Sequence, residues 1–561
     1  MKRLQPVIYL FLLLFSACTL NEEKLPEFSE APELTITPVD GVFRFNWVNS
    51  VPDADSYDIY WIKDTDNPGL DRDFILENGI RIDNAQQGST TFVLNEGDTI
   101  SALISAEKSG YKTAYSDIAK ETLQTPPPFK PPVQDPSKAF KRGVGYNFST
   151  LNSEGGFGSP EKRNPKHAGR DMDLLMGGKN GITWFYAWGD KPDPAVAIEA
   201  YIHDLEFCPM AWNDGFNENN IRSYVQTYPG VKYIMAFNEP NFYSQANLTP
   251  AQAAAAWPRL KNLAGELDLK IVSPGMNYGP MMGPTDWLDQ FFSQPGVSID
   301  DVCAIAVHTY PWWPSAVKSI LDNYRKYDKP LWLTEFCGWE DLQNRTASRE
   351  LQAWYMSMVI VYLEMDPMVE RYAWYIPKGH VPQNSSPFHN LLTDVPSLAT
   401  AVDVPELTDL GIIYTNITIC DKDVWIPAGQ LIDAAQFTSC NLANNIGITN
   451  SWSDTVLFRP TGDTGQSAGV LEIHEFRNTM WLEYQVSIPS EKNYTLSLRN
   501  KTVQATVVSA SIDNGSVQTV NLNSDTWTTS SCSLGNITAG NHTIRLQVNS
   551  GNCALNWLKI E

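Results

Sequence analysis

No cysteine of this chain sits in a CxxC pair, which removes the zinc-ribbon and dithiol-redox classes at the outset. Positive charge is also scarce: Lys and Arg number 41 against 64 Asp and Glu, a formal net charge of −23. Nucleic acids select basic surfaces, so no nucleic-acid partner is expected; a balance of this sign suits solubility. Histidine is rarer still, at 7 residues. No HxxxH or HxxE spacing accompanies His308, so no metal is expected there. The apolar run from Val7 to Phe15 is too short to span a bilayer. Where the first central strand is expected, Gly143-Val144-Gly145-Tyr146 lacks the third glycine of a GxGxxG turn, so no dinucleotide cofactor is read.

What is present points elsewhere. The chain has 561 residues, too many for one ordinary domain, and its hydrophobic share of 43% is that of a globular protein. Aromatic residues are plentiful, with 18 Trp and 23 Tyr. At the start, Lys2 and Arg3 precede the short apolar run, which ends in Phe15-Ser16-Ala17-Cys18. Residues 1–18 resemble a bacterial lipoprotein signal. The resemblance implies lipidation of Cys18, a tether beginning at Asn21-Glu22-Glu23, and an exported, outer-membrane, surface-exposed protein held by a lipid anchor only.

Seven further cysteines follow. Cys208, Cys303 and Cys337 fall in strand-like runs, where buried thiols are expected. Cys420, Cys440, Cys532 and Cys553 cluster late in the chain and, in an exported protein, could form two disulfides by any of three connectivities.

Three modules are expected. Over residues 28–124, Phe43, Phe45 and Trp47 alternate, as do Tyr57, Ile59 and Trp61, and Phe92 and Leu94 continue the pattern. This pattern resembles a fibronectin type III or related immunoglobulin-like sandwich. Residues 125–138 hold Pro126-Pro127-Pro128, Pro131-Pro132 and Pro136, a stiff linker. Over residues 139–416, eight strand-like runs alternate with helical ones: 143–148, 182–188, 207–212, 233–239, 270–276, 304–310, 331–336 and 371–377. Thr249, Pro250 and Gln252 read as a capping box with proline at the first helical position. Eight alternations in this length fit a central (β/α)8 TIM barrel. Residues 418–561 return to alternation, as in Trp481–Val486 and Thr543–Val548, and read as a β-jelly roll.

The chemistry concentrates in two runs, Ala236-Phe237-Asn238-Glu239-Pro240 and Trp332-Leu333-Thr334-Glu335-Phe336. In a barrel of this kind the active site lies at the C-terminal strand ends. Glu239 closes the fourth expected strand and Glu335 the seventh, so both point into one mouth. Acetal hydrolysis needs such a pair, one acid for the leaving oxygen and one carboxylate for the sugar carbon or a water.

The ordered set of strand ends also carries a resemblance. It runs through Trp184–Gly189, Phe207–Trp212, Phe237–Asn241, Val272-Ser273-Pro274, Val307-His308-Thr309-Tyr310, Trp332–Phe336 and Tyr372-Ala373-Trp374-Tyr375. Together these resemble glycoside hydrolase family 128, whose barrels carry glutamates on strands four and seven. The resemblance implies Glu239 as acid/base, Glu335 as nucleophile, a retaining mechanism, and endo-acting cleavage of β-1,3-glucans such as laminarin. The retaining geometry calls for carboxyl groups about 5–5.5 Å apart.

Asn238 would bond sugar hydroxyls, His308 and Tyr310 end the sixth strand, and Tyr310 is placed to hold the nucleophile ionised. Trp184, Tyr186, Trp188, Trp212, Trp339 and Trp374 are candidates for contact with sugar rings. The last module resembles carbohydrate-binding module family 6 through Trp481–Val486, Trp527-Thr528-Thr529, Ala539–Thr543 and Leu555-Asn556-Trp557. It departs where many such modules carry a sugar-binding Asn, here Ala554, and where an acidic pair holds structural calcium, here Asp433 and Ala435. Two rival readings remain open: a non-catalytic surface glycan-binding protein, and a retaining hydrolase of another β-linked glycan.

Overall fold

Alternating apolar residues build the first of two units, Met1–Thr125. The structure is a computed structural model. It describes residues 25–39, 42–48, 51, 54–64, 70–91, 98–122, 140–148, 168–277, 284–340, 348–378, 388–393, 406–441, 456–465 and 469–561. The signal-like segment with Cys18, Phe92 and Leu94, the whole proline-rich linker 125–138, and residues 149–167 and 278–283 lie outside them. Among the described residues, no helix is long and apolar enough to cross a membrane.

In this unit, Glu33–Val39, Val42–Val48 and Ser89–Thr90 form one sheet. A second, five-stranded sheet is centred on Ser56–Lys63 and Thr99–Glu107. The alternating Phe43, Phe45 and Trp47 of the first meet Ile59, Trp61, Ile100 and Ile104 of the second in one core. One element departs from the all-strand expectation: Arg72–Asn78 is a helix, capped by the Asp71 carboxylate, which accepts from the Phe74 amide. A local cap there outweighs the surrounding strand pattern.

The second unit, Pro126–Glu561, holds the central region. Its eight strands are β1 (Arg142–Gly145), β2 (Trp184–Tyr186), β3 (Glu206–Phe207), β4 (Tyr233–Met235), β5 (Lys270–Val272), β6 (Val302–Pro311), β7 (Leu331–Glu340) and β8 (Val369–Tyr375). All pair in parallel, in the order β3-β2-β1-β8-β7-β6-β5-β4. The two ends of this order meet through a parallel bridge between Met210 and Met235. There the Met235 amide donates to the Pro209 carbonyl and the Ala211 amide to the Met235 carbonyl, each at 2.9 Å. The sheet therefore curls until its edges join.

Parallel strands need crossovers, and helices supply them. They are α1 (Ala168–Met176), α2 (Pro194–Ile202), α3 (Glu218–Thr227), α4 (Pro250–Glu266), α5 (Pro284–Phe292), α6 (Pro314–Tyr324), α7 (Arg349–Met365) and α8 (Asp409–Asn416). The expected capping box opens α4, with Pro250 in its first turn. Inside the curl, Trp184, Tyr186, Met235 and Trp332 alternate in size with Ala304, Ala306 and Ala373. Large rings thus fill the interior without overpacking.

Most strands are shorter than their sequence runs, and β4 ends at Met235 rather than Glu239. Beyond Met235 the chain keeps single bonds to its neighbours, Ala236 to Val272 and Asn238 to Trp212, and turns at Glu239, which adopts φ 44° in the left-handed region. For a non-glycine residue that conformation costs roughly 1–3 kcal/mol.

Residues beyond α8 form two six-stranded sheets in the same unit. Trp481–Ile488 pairs antiparallel with Gly540–Ser550, and Glu483 opposite Arg545 is ion-paired with it. This region is tied to the curled sheet. The Phe458 amide donates to Ser357 Oγ of α7 at 3.3 Å, and Asn180 bonds Gln436 at 2.9 Å. Asp433, one of the two positions considered for calcium, is ion-paired with Lys179.

The expected pair of disulfides is not formed: Cys420, Cys532 and Cys553 are free thiols. Geometry explains this for the last two. Cys532 lies opposite Leu496, and Leu496 lies opposite Ile560, seven residues beyond Cys553. Two strand spacings alone, about 9–10 Å, exceed the roughly 7 Å reach of a disulfide.

Arg142 secures the N-terminal end of the curled sheet. Its guanidinium is fully buried. It donates to the Tyr372 hydroxyl at 2.8 Å, the Glu364 carboxylate at 3.0 Å and the carbonyls of Asn180 and Tyr414 at 2.7 Å. The carbonyls of Ile417 and Thr418, at 3.2 Å, bring the chain leaving α8 under the same group. Replacing Arg142 by Met removes the charged partner of the buried Glu364 carboxylate, which keeps the Tyr372 hydroxyl, and takes a donor from each of these carbonyls. Chemical denaturation of the Arg142→Met variant is expected to show a loss of roughly 3–5 kcal/mol.

Candidate active site

The C-terminal ends of β4, β6 and β7 bring two carboxylates and one imidazole together. Glu239 and Glu335 are each 4% exposed, and His308 is fully buried. His308 Nδ1 lies 2.8 Å from Glu239 Oε1 and 3.2 Å from Glu335 Oε2. One carboxylate oxygen of each glutamate and the imidazole nitrogen all lie within 4.8 Å of one another. Among the described residues this trio is the donor set that could hold a divalent cation. His308 Nε2, on the far side of the ring, has no hydrogen-bond partner among the described residues.

The two glutamates are dressed differently. Glu335 Oε1 accepts from Trp188 Nε1 at 2.6 Å and faces the Tyr186 hydroxyl at 3.1 Å. Its Oε2 accepts from the Tyr310 hydroxyl. Glu239 Oε1 accepts from Asn277 Nδ2 at 2.9 Å, and Asn277 is itself bonded to Asn241. Backbone bonds fix the turn that carries Glu239. Its amide donates to the Gly275 carbonyl at 2.8 Å and its carbonyl accepts from the Phe242 amide at 2.9 Å.

Burial pushes the Glu335 carboxyl above the usual carboxylate range, and the charge of Glu239 adds to this; His308, Tyr310 and Trp188 oppose it. Burial alone would lower the imidazole of His308, but the Glu335 charge and the Glu239 contact outweigh it and raise the group above its ordinary value. Burial, with the Glu335 charge next, pushes the Tyr186 and Tyr310 phenols far up, so both remain donors.

The other expected site residues separate into two groups. Tyr186, Trp188, His308 and Tyr310 touch the carboxylates. Asn238 adjoins them, nearly buried; its Nδ2 donates to Gln245 at 3.2 Å and its Oδ1 has no partner among the described residues. Trp212 is half-buried at the end of β3 and its carbonyl accepts from the Asn238 amide.

Trp184 and Trp374 do not reach the cleft. Trp184 is fully buried deeper in the curl, stacked near Trp332 and Arg371, with its indole bonded to the Lys141 carbonyl. Trp374 faces outward to the helices, against Phe336, Tyr355 and Tyr414, with its indole on the His389 carbonyl. Side chains alternate along β8, so Trp374 points away and Tyr375 points in. The side chain of Trp339 lies outside the described residues.

Three contributors were not singled out from the sequence. Tyr375 packs edge-on against Trp188 and Tyr310 at 5.5 and 5.4 Å. Asn277 lies on an irregular stretch without periodicity. Tyr243, four residues past Glu239, stands 65% exposed on a turn held by the backbone bonds of Phe242, Gln245 and Ala246. The parity of Tyr375 with Ala373 was the one signal available for these.

Residues 164–414 match the glycosyl hydrolase catalytic core. A curated relative, alkali-sensitive linkage protein 1 of Schizosaccharomyces pombe, is 27% identical over 209 residues, 35% of this chain and 35% of the relative. The chain thus spans about a third of that relative's length. Among solved structures, a GH128 (subgroup II) endo-β-1,3-glucanase from Pseudomonas viridiflava is 32% identical, with 50% of this chain and 98% of that chain covered at a TM-score of 0.40. A second GH128 (subgroup II) endo-β-1,3-glucanase, from Sorangium cellulosum, is 27% identical, with 49% and 97% covered at a TM-score of 0.39.

Removing the imidazole takes away the nearest group that favours an ionised Glu335. In His308→Ala the carboxyl therefore needs a still higher pH to ionise. The acidic limb of the kcat/KM profile is expected to move up by about one unit; a limb that stays in place would refute the role given to His308.

Proposed function

We propose that this chain, whose residues 164–414 match the glycosyl hydrolase catalytic core, is a retaining endo-β-1,3-glucanase of the family 128 kind. The curled sheet with its eight helices is read as a (β/α)8 barrel, flanked by a fibronectin-like sandwich and a carbohydrate-binding-module-like jelly roll. The observation that carries the reaction is the spacing of Glu239 and Glu335. Carboxylate oxygens within 4.8 Å of each other leave little room for an interposed water, and separations near 5–5.5 Å belong to double displacement rather than inversion.

Glu335 is the nucleophile in this reading. Three donors from Trp188, Tyr186 and Tyr310 aim at its two oxygens and favour the anion that attacks the sugar carbon. Glu239 delivers its proton to the leaving oxygen, then takes one from the water that cleaves the glycosyl-enzyme. His308 sits between them and follows that proton traffic. The orphaned Oδ1 of Asn238 accepts from a sugar hydroxyl. Half-buried Trp188 and Trp212 offer faces to the sugar rings.

The substrate assignment rests on the ordered strand-end motifs and on the 32% sequence identity to the Pseudomonas enzyme, named for its action on β-1,3-glucan. Both rivals raised by the sequence, a non-catalytic glycan binder and a hydrolase of another β-glycan, are separated by assay. Full-length protein is expected to release new reducing ends from laminarin, as a range of oligosaccharides, with the β-anomer appearing first by proton NMR. Glu335→Gln is expected to lose roughly 10³-fold or more of this rate. Laminarin retained but never cut would leave the binding protein standing. Initial release of the α-anomer would overturn retention.

The lipoprotein-like start supports a second element of the reading, a surface-tethered enzyme that shortens polysaccharide where it is captured. Cys18→Ser is expected to shift the protein from the membrane fraction to the soluble fraction without changing its specific activity. A protein that stays membrane-bound would remove the lipid anchor from the account.

A further inference from the structure

Gly143-Val144-Gly145 on β1 makes no nucleotide turn, which leaves its two glycines unexplained. Neither glycine needs a left-handed backbone: the positive-φ glycines of the described residues do not include them or Gly275. What they supply is space. A Cβ on Gly145 would lie 2.7 Å from the Tyr186 hydroxyl oxygen, 2.9 Å from its Cζ and 3.1 Å from Cζ2 of Trp188. A Cβ on Gly275 would lie 2.9 Å from His308 Nε2. Contacts under about 3 Å between such atoms force a shift.

The displaced groups are the ones that hold the carboxylates. Tyr186 and Trp188 face Glu335 Oε1, and His308 bridges both glutamates. None of the three can yield cheaply. Tyr186 and His308 are fully buried. Tyr186 also reaches the Thr334 carbonyl at 2.8 Å. Trp188 is wedged edge-on against Tyr186 and Tyr375. The imidazole of His308 is pinned at Nδ1 by two carboxylates, so a methyl group behind Nε2 would drive it into them.

We propose that Gly145 and Gly275 are positioning residues: the missing side chain on β1 seats the hydroxyl and indole donors on Glu335, and the missing side chain just past β5 sets the height of His308 under both carboxylates. The two glycines sit on opposite sides of the cleft and act through different intermediaries on the same carboxylate, Gly145 at Glu335 Oε1 and Gly275 at Glu335 Oε2. The inference rests on the reading of Glu239 and Glu335 as the reacting pair, and it adds what holds that pair in register.

Gly143 is the matched control. A Cβ there would lie 2.4 Å from the Trp184 ring, a tighter clash, but Trp184 packs deep in the curl and touches neither carboxylate. Gly143→Ala therefore perturbs packing one layer below and reaches the donors only indirectly, through the Tyr186 ring on which Trp184 stacks at 6.3 Å.

The test compares Gly145→Ala, Gly275→Ala and Gly143→Ala in the full chain by thermal unfolding, the pH profile of laminarin hydrolysis, and pH titration of the Trp188 indole N–H by NMR. The indole signal is assigned through Trp188→Phe and reports Glu335 ionisation without any substrate. The titratable groups facing Glu335 are His308 and Tyr310 from β6, Glu239 from beyond β4, Tyr186 from β2, Tyr375 from β8 and Cys337 on β7 itself.

Displacing the donors or the imidazole weakens what favours the Glu335 anion. Gly145→Ala and Gly275→Ala are expected to raise the indole titration midpoint and the acidic limb of kcat/KM by about half a unit or more, with kcat down about tenfold or more. Gly143→Ala is expected to lower the melting temperature and to move both midpoints clearly less than either of the other two variants. Unmoved midpoints in Gly145→Ala and Gly275→Ala, or an equal movement in Gly143→Ala, would overturn the proposal. A wild type that never cuts laminarin would defeat the functional reading instead, and the indole titration would still decide the role of the glycines.

Discussion

One imidazole nitrogen shared by two buried carboxylates is the contact on which the rest of the site depends. Were both carboxylates ionised, two charges within 4.8 Å, shielded from water, would repel by about 3–4 kcal/mol at the effective dielectric of a partly buried site. Burial adds a desolvation cost to each. His308 offsets both, because its Nδ1 lies within 3.2 Å of an oxygen of either residue. The surrounding donors then break the symmetry. Trp188, Tyr186 and Tyr310 converge on Glu335, while Glu239 receives Asn277. That asymmetry is what allows two identical side chains to take opposite parts in one reaction.

The scaffold explains why such a cluster persists. The members come from different strands, His308 within β6, Glu335 within β7 and Glu239 beyond β4, so no single loop decides the geometry. The left-handed turn at Glu239 is held by bonds to the next strand end and to its own loop. At the opposite end, Arg142 joins the curled sheet to the segment leaving α8 with a fully satisfied guanidinium. Stability is concentrated at one end and chemistry at the other, a separation typical of curled parallel sheets with helical crossovers.

Much of this was legible in the residues. Eight apolar runs alternating with helical ones gave the strands, because parallel strands buried on both faces read as short continuous apolar stretches. That same property hid the orientation of individual rings. Nothing local distinguishes the inward Tyr375 from the outward Trp374, or shows that Trp184 lies a layer below Tyr186. Strand-end glutamates were visible because a carboxylate closing an apolar run has few structural reasons to be there. Asn277 was not, because it follows β5 on a stretch without periodicity and acts through a contact far away in sequence. Cys420, Cys440, Cys532 and Cys553 cluster late in the sequence and leave three connectivities open, but two strand spacings separate the strands of Cys532 and Cys553. The short helix Arg72–Asn78 was set by one capping aspartate that the surrounding alternation obscured.

The central claim is that Glu335 forms a covalent bond to sugar while Glu239 handles the proton. It is tested most directly by mass spectrometry of the protein after reaction with an activated 2-deoxy-2-fluoro β-1,3-linked glucoside, which slows the second displacement. The account predicts one glycosyl adduct, located on the peptide carrying Glu335 and absent in Glu335→Gln. An adduct on Glu239, or undiminished turnover of laminarin with no adduct on either glutamate, would contradict it.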